Sequence, residues 1–185
     1  MFNFEEITPK ESNNSVEGLT TYDFEYLQNI EGLSTEKWEC LTPTERLETL
    51  QTLEDKLAEI QGRPPVPVRM SETPGENGHY SLLEREITLN IKDLESNEPE
   101  KRLELIDTIA HEGRHAYQHY AIENPGFHPD KAQVDSWREN FNDYEDGTKD
   151  GLMAYRLQPI EADAWQYGHL VRDVMAFGER ERQMA

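Results

Sequence analysis

Apolar residues recur at helical spacing through Leu47, Leu50, Leu53, Leu57 and Ile60, the pattern of a helix that buries one face. Thr42-Pro43-Thr44-Glu45 supplies an N-cap with proline at the first helical position and glutamate at the third, and Gly62, Pro64 and Pro65 supply the stop. From Val66 to Asn90 the pattern changes to short runs. Val66-Pro67-Val68-Arg69-Met70 and Glu86-Ile87-Thr88-Leu89-Asn90 read as strands, with the turn-rich Thr73-Pro74-Gly75-Glu76-Asn77-Gly78 between them. They predict a small antiparallel sheet, and Pro67 and the charged flanks suit edge strands. Pro99 opens a long helix whose stripe is Leu103, Ile106, Ile109, Ala110, Ala116 and Tyr117. In the irregular connection over residues 124–151, Val134, Trp137 and Phe141 suggest a short helix, in a segment able to roof a cleft. Gln158-Pro159 opens a last helix with Ile160, Ala164, Tyr167, Val171 and Val174 facing a core, expected to end near Gly178.

The fold class expected from this order is α+β. Residues 1–20, with few apolar anchors, read as a mobile arm or the cut end of a longer chain, and residues 21–62 as a helical segment. Residues 63–178 form the main domain, and 179–185 a charged tail.

Charge narrows the choice of partners. Thirty-eight acidic residues against eighteen basic ones give a formal net charge of -20, which repels phosphate backbones and anionic lipid, so neither nucleic acid nor a membrane is an expected partner. The start lacks the basic and apolar regions of a signal peptide, and the single cysteine, Cys40, rules out an intramolecular disulfide and cysteine-rich metal sites. A cytoplasmic setting is expected, or delivery into a target cell if the chain is a toxin domain cut from a larger protein.

The chemistry lies in His111-Glu112-Gly113-Arg114-His115, inside the long helix. Residues four apart on a helix share a face, so His111 and His115 can close on one zinc ion. Glu112 is one step round the helix, where a carboxylate reaches a water without displacing it, as a general base requires. With six histidines in the chain, a chance match to this pattern is expected roughly 0.03 times. Gly113 weakens a helix interior by about 1 kcal/mol relative to alanine, which close packing beneath the site would explain. A catalytic zinc normally keeps three protein ligands and one open position. Glu161 is the expected third, because it stands in the first turn of the last helix, with Ile160 and Ala164 holding the backbone against the core. His119 and His169 lie about 12 Å along a helix axis from His111 and Glu161 respectively, too far for one tetrahedral centre. His128, in the loop, remains open as an alternative, and His79 is expected on a strand or the surface.

These residues resemble the zincin superfamily, in particular gluzincin-like members with two helical histidines and a downstream glutamate. Ile87-Thr88-Leu89-Asn90, Ile109-Ala110-His111-Glu112 and Pro159-Ile160-Glu161-Ala162-Asp163-Ala164 look like the small bacterial and phage metallopeptidases of the ImmA/IrrE type. The resemblance covers about residues 66 to 178. It implies a zincin-like α+β fold with an edge strand above the active helix, zinc on His111, His115 and Glu161, Glu112 as base, and a protein or peptide substrate. The chain departs from the pattern at Trp165, where an acidic residue is usual, so Asp163 or Asp107 is the candidate to orient a histidine. Tyr155 is a candidate donor to the developing oxyanion. The rival expectation is a catalytically inactive protein on the same scaffold, binding a basic partner through its acidic face.

Overall fold

The computed structural model describes residues 19–72, 78–144 and 151–184. Of the expected arm, everything up to residue 18 lies outside the described residues, and Thr20 already belongs to a helix start, its hydroxyl accepting the Asp23 N–H. Helices α1 (Thr21–Gln28) and α2 (Thr35–Trp38) lead into α3 (Pro43–Gln61). At the start of α3 the Thr42 hydroxyl accepts the Glu45 N–H while the Glu45 carboxylate accepts the Thr42 N–H, so two amides without helical partners are satisfied. Gly62 ends the helix at a φ of 70°, left-handed backbone that glycine adopts without strain.

Three strands, β1 (Val68–Ser71), β2 (Gly78–Ser81) and β3 (Glu86–Asn90), form one sheet in the order β1-β3-β2. The architecture is α+β, but the sheet is mixed and not antiparallel throughout. β3 runs antiparallel to β2 and parallel to β1, with Val68 opposite Ile87 and Ser71 opposite Asn90. The cause is β2, which the sequence hides: Gly78-His79-Tyr80-Ser81 is half-buried at all four positions and shows no alternation. It pairs with β3 through a turn at residues 82–85, where Arg85 has a φ of 54°, and β1 is left the opposite edge. The strand over 86–90, expected at an edge, is therefore central, and its Ile87 and Leu89 are wholly buried.

Beyond the sheet run α4 (Ile91–Glu95), α5 (Pro99–Glu123), α6 (Lys131–Asn142), α7 (Leu152–Leu157) and α8 (Pro159–Met184). One apolar cluster joins Leu27 of α1, Leu50, Leu53 and Leu57 of α3, the inner face of the sheet, Ile106 and Ile109 of α5, and Tyr167 and Val171 of α8. A smaller cluster seats α6, with Trp137 and Val134 against Tyr117, Ala121 and Ile160. Helix α8 continues to Met184 and does not stop near Gly178. Gly178 marks a close approach: a Cβ there would lie 2.2 Å from Gln28 Cδ, and Gln28 donates to the Val174 carbonyl at 3.0 Å. Glu179 then accepts the Thr35 N–H at 3.0 Å and pairs with Arg102, so the expected tail is helical as far as Met184 and tied to the first helices, Ala185 lying outside the described residues. Among the described residues no helix is long and apolar enough to cross a membrane.

Helix α5 is approached closely from three sides, each time at a glycine. A Cβ on Gly78 would stand 2.7 Å from Thr108 Cγ2, and one on Gly168 of α8 would stand 2.4 Å from Asp107 Oδ1. A Cβ on Gly113 would stand 2.8 Å from Glu54 Oε2 and 2.9 Å from Arg63 Nη2. Glu54 and Arg63 form a buried two-bond ion pair at 2.7 and 2.8 Å, and Glu54 also accepts the Val66 N–H at 3.0 Å. The glycine in the histidine motif thus makes room for a fully satisfied ion pair beneath the helix. Gly113→Ala should lower stability by about 1–3 kcal/mol, because overpacking outweighs the roughly 1 kcal/mol gained in helix propensity. Denaturant unfolding of the two purified proteins checks this; an alanine variant as stable as the parent, or more so, contradicts it.

Candidate metal centre

His111 and His115 project from one face of α5, four residues apart, with their Nε2 atoms 3.1 Å from each other. Glu161 enters from the first turn of α8, Oε2 standing 3.5 Å from His111 Nε2 and Oε1 3.4 Å from His115 Nε2. An ion held tetrahedrally by bonds of about 2.0–2.1 Å sets its ligand atoms about 3.3 Å apart, close to the separations here, where each imidazole faces its own oxygen of Glu161 and the donor atoms of the three residues lie within 4.8 Å of one another. Two bare imidazole nitrogens at 3.1 Å repel, which calls for a proton or a metal ion between them. Glu161 is 1% exposed and its Oε2 has no hydrogen-bond partner among the described residues, a buried lone pair that a cation would satisfy. Among the described residues, His111, His115 and Glu161 are the group whose donor atoms converge closely enough to hold a metal.

The charge balance favours a cation. Burial opposes charge on the His115 ring, yet Glu161 and Glu112 outweigh it and push its pKa up to about 9. Burial likewise works against an ionised Glu161, but the two imidazoles and the Tyr144 hydroxyl hold its carboxyl well below the usual carboxylate range.

Neighbouring elements fix each ligand. Asn140 of α6 accepts the Ile160 N–H at 3.2 Å and donates to Gln158 at 2.8 Å, which anchors the start of α8. Gln118, wholly buried, accepts from His115 Nδ1 at 2.9 Å, which leaves Nε2 facing Glu161 as the nitrogen that takes either a proton or a metal ion. The amide of Gln118 donates to Asp163 at 2.6 Å and to the Ile160 carbonyl at 2.9 Å. Arg114 grips both oxygens of Asp163 at 2.8 and 2.9 Å. Asp163 therefore orients His115 at one remove, through Gln118, rather than by touching a histidine. Among the described residues His111 Nδ1 and Asp107 Oδ1 have no hydrogen-bond partner though both are buried, and the Trp165 ring packs edge-on to His111 with centroids 4.7 Å apart.

Glu112 stands beside the triangle, not in it: Oε1 is 3.9 Å from His111 Nε2, and Oε2 accepts the Tyr80 N–H at 2.8 Å. Two cavities of about 380 and 440 Å³ flank this carboxylate and share Gly78, Glu112 and Tyr155. The first holds Asp107, His169 and Arg172; the second holds Leu82, Phe141 and Tyr144. Tyr155, on α7, thus lies at the cleft, and burial followed by the charge of Glu161 keeps its hydroxyl protonated well above the usual range. His79, on β2, lines the second cavity, and the three remaining histidines stand apart. His119 bonds the Tyr80 hydroxyl at 3.0 Å, His128 bonds Tyr117 at 2.7 Å and Gln133 at 3.1 Å, and His169 lies half-exposed near Asp107.

Two residues of the site escaped the sequence reading. Gln118 carried a signal, since it lies three positions beyond His115 on the same helix face. Tyr144, whose hydroxyl donates to Glu161 Oε1 at 2.7 Å, carried none, because it follows the end of α6 and reaches the site only through the fold. No protein-family model, curated protein or solved structure matches the chain.

Two outcomes follow from this geometry. Glu161→Ala should weaken divalent-metal binding by at least about 100-fold, more than loss of an outer hydrogen-bonding partner costs, while His119→Ala, His128→Ala and His169→Ala change it little. Competition with a chromogenic chelator measures all four, and parental affinity in Glu161→Ala with loss in His128→Ala would move the third ligand to the loop. The second concerns pH. A His115 pKa raised from 6.5 to about 9 adds stability to the metal-free protein that is complete below about 6.5 and lost as pH rises through about 9. Melting temperatures of chelated protein should fall over that interval; a flat profile there contradicts the assignment.

Proposed function

We propose that the chain is a zinc-dependent peptidase with a zincin-like fold, gluzincin-like in its two helical histidines and downstream glutamate. His111, His115 and Glu161 would hold the zinc ion and Glu112 would serve as general base. The observation that carries the reading is the position of Glu112: buried, held by a backbone amide on Oε2, and with Oε1 turned towards the triangle 3.9 Å from His111 Nε2. When bound, zinc supplies a Lewis acid that lowers the pKa of water and polarises a peptide carbonyl. Glu112 Oε1 takes the proton from the attacking water and delivers it to the leaving amine. The protonated Tyr155 hydroxyl donates to the oxygen on which negative charge develops.

The edge strand supports a peptide as substrate. The Tyr80 N–H points away from β3 towards Glu112, and alternation along the strand turns the Gly78 backbone to the same side. With the Tyr80 N–H held by Glu112, an extended peptide lying along β2 would pair with the Tyr80 carbonyl and the Gly78 backbone and find side-chain space in the two flanking cavities. The net charge of -20 argues against nucleic acid as substrate. The setting we propose is the cytoplasm, or a target cell if the chain is a toxin domain.

Glu112→Gln should keep fold and zinc and lose hydrolysis by about 100-fold or more. Mass-spectrometric mapping of new N-termini in a proteome incubated with the zinc-loaded protein, with the variant as control, measures this. Cleavages that the glutamine variant makes equally well would refute the mechanism, and zinc loading with no cleavage in either protein would favour the inactive scaffold.

A further inference from the structure

The two oxygens of Glu161 face the two imidazoles almost symmetrically, at 3.5 Å from His111 and 3.4 Å from His115. Nothing in that triangle selects between binding an ion through one oxygen and binding it through both. Binding through both would add a fifth ligand beside the water and crowd the position that a catalytic zinc leaves for a substrate carbonyl.

The asymmetry comes from outside the triangle. The Tyr144 hydroxyl donates to Oε1 at 2.7 Å, a hydrogen bond to a charged acceptor and so among the stronger ones, while Oε2 is buried with no hydrogen-bond partner among the described residues. The Tyr144 ring is braced edge-on by the Tyr155 ring, with centroids 6.1 Å apart, and it lines the cavity that also holds Phe141 and Glu112. The geometry points to Tyr144 as a positioning residue that engages Oε1, leaves Oε2 as the ligand atom, and so keeps Glu161 a one-oxygen ligand. Tyr144 acts through Glu161 and touches no reacting atom. The inference rests on the proposed zinc site and specifies how that site keeps room for water and a substrate carbonyl.

X-ray absorption at the zinc edge, on full-length protein loaded with one equivalent, tests it independently of activity. The parent should show four nitrogen and oxygen ligands, and Tyr144→Phe, which removes only the hydroxyl, should show five as Glu161 turns to bind through both oxygens. The separation of the carboxylate stretching bands in the infrared should narrow in the variant and not in the parent. Five ligands in the parent, or four in a folded variant with unchanged carboxylate bands, would overturn the role of Tyr144. The parent measurement decides on its own if the variant fails to fold. A parent that retains no zinc after loading is a different outcome: it removes the metal site itself, and this inference with it.

Discussion

The arrangement of this molecule depends on one buried contact, the two-bond ion pair between Arg114 of α5 and Asp163 of α8. Removing one partner of such a pair leaves an uncompensated buried charge, at a cost of about 3–5 kcal/mol. Its geometric effect matters more. Asp163 is two residues from Glu161, and Arg114 is flanked in sequence by Gly113 and His115, so the pair sets the register of one ligand-bearing helix against the other. A slip of one residue would move α8 by about 1.5 Å and rotate its side chains by more than a quarter turn, taking Glu161 off the imidazoles. The same carboxylate receives Gln118, which receives His115, so one acidic group sets both the helix register and the ring orientation.

The sequence made some of this visible because some of its signals are local. Helix α3 announces itself through Thr42 and Glu45 at one end and Gly62 at the other, and α5 through Pro99, since caps act within a turn of the chain. The pairing of His111 with His115 is equally local, four residues on one helix. The third converging donor was placed by an argument about position, at the first turn of α8, and the structure brings Glu161 there. What stayed hidden depends on residues far apart in the chain. Strand β2 has no alternation because α5 covers one side and the cleft opens at the other, and without β2 the sheet could not be read as mixed. Gly178 looked like a helix stop because glycine usually is one, whereas here it admits the Gln28 side chain.

The glycine in the histidine motif likewise has a cause far away in the chain. Gly113 is poor for a helix taken alone, and Glu54 lies far away in sequence, so only the packed structure reveals why a side chain is absent there. Gly78 and Gly168 do comparable service on the other faces of α5. The helix at the centre gives up side chains around it so that a sheet edge, an ion pair and a second helix can come near the two histidines.

The distances along the chain between the partners also order events during synthesis. His115 meets Gln118 within one turn, but Glu161 and Asp163 come more than forty residues after the histidines they serve, with α6 and its apolar seat between. On the ribosome, α5 is complete while neither the third donor nor the clamp that aligns it yet exists. A nascent chain therefore carries the histidine pair for many residues before it carries the converged triad. Assembly of that triad waits for the late docking of α8, so its appearance reports that nearly the whole described fold has closed.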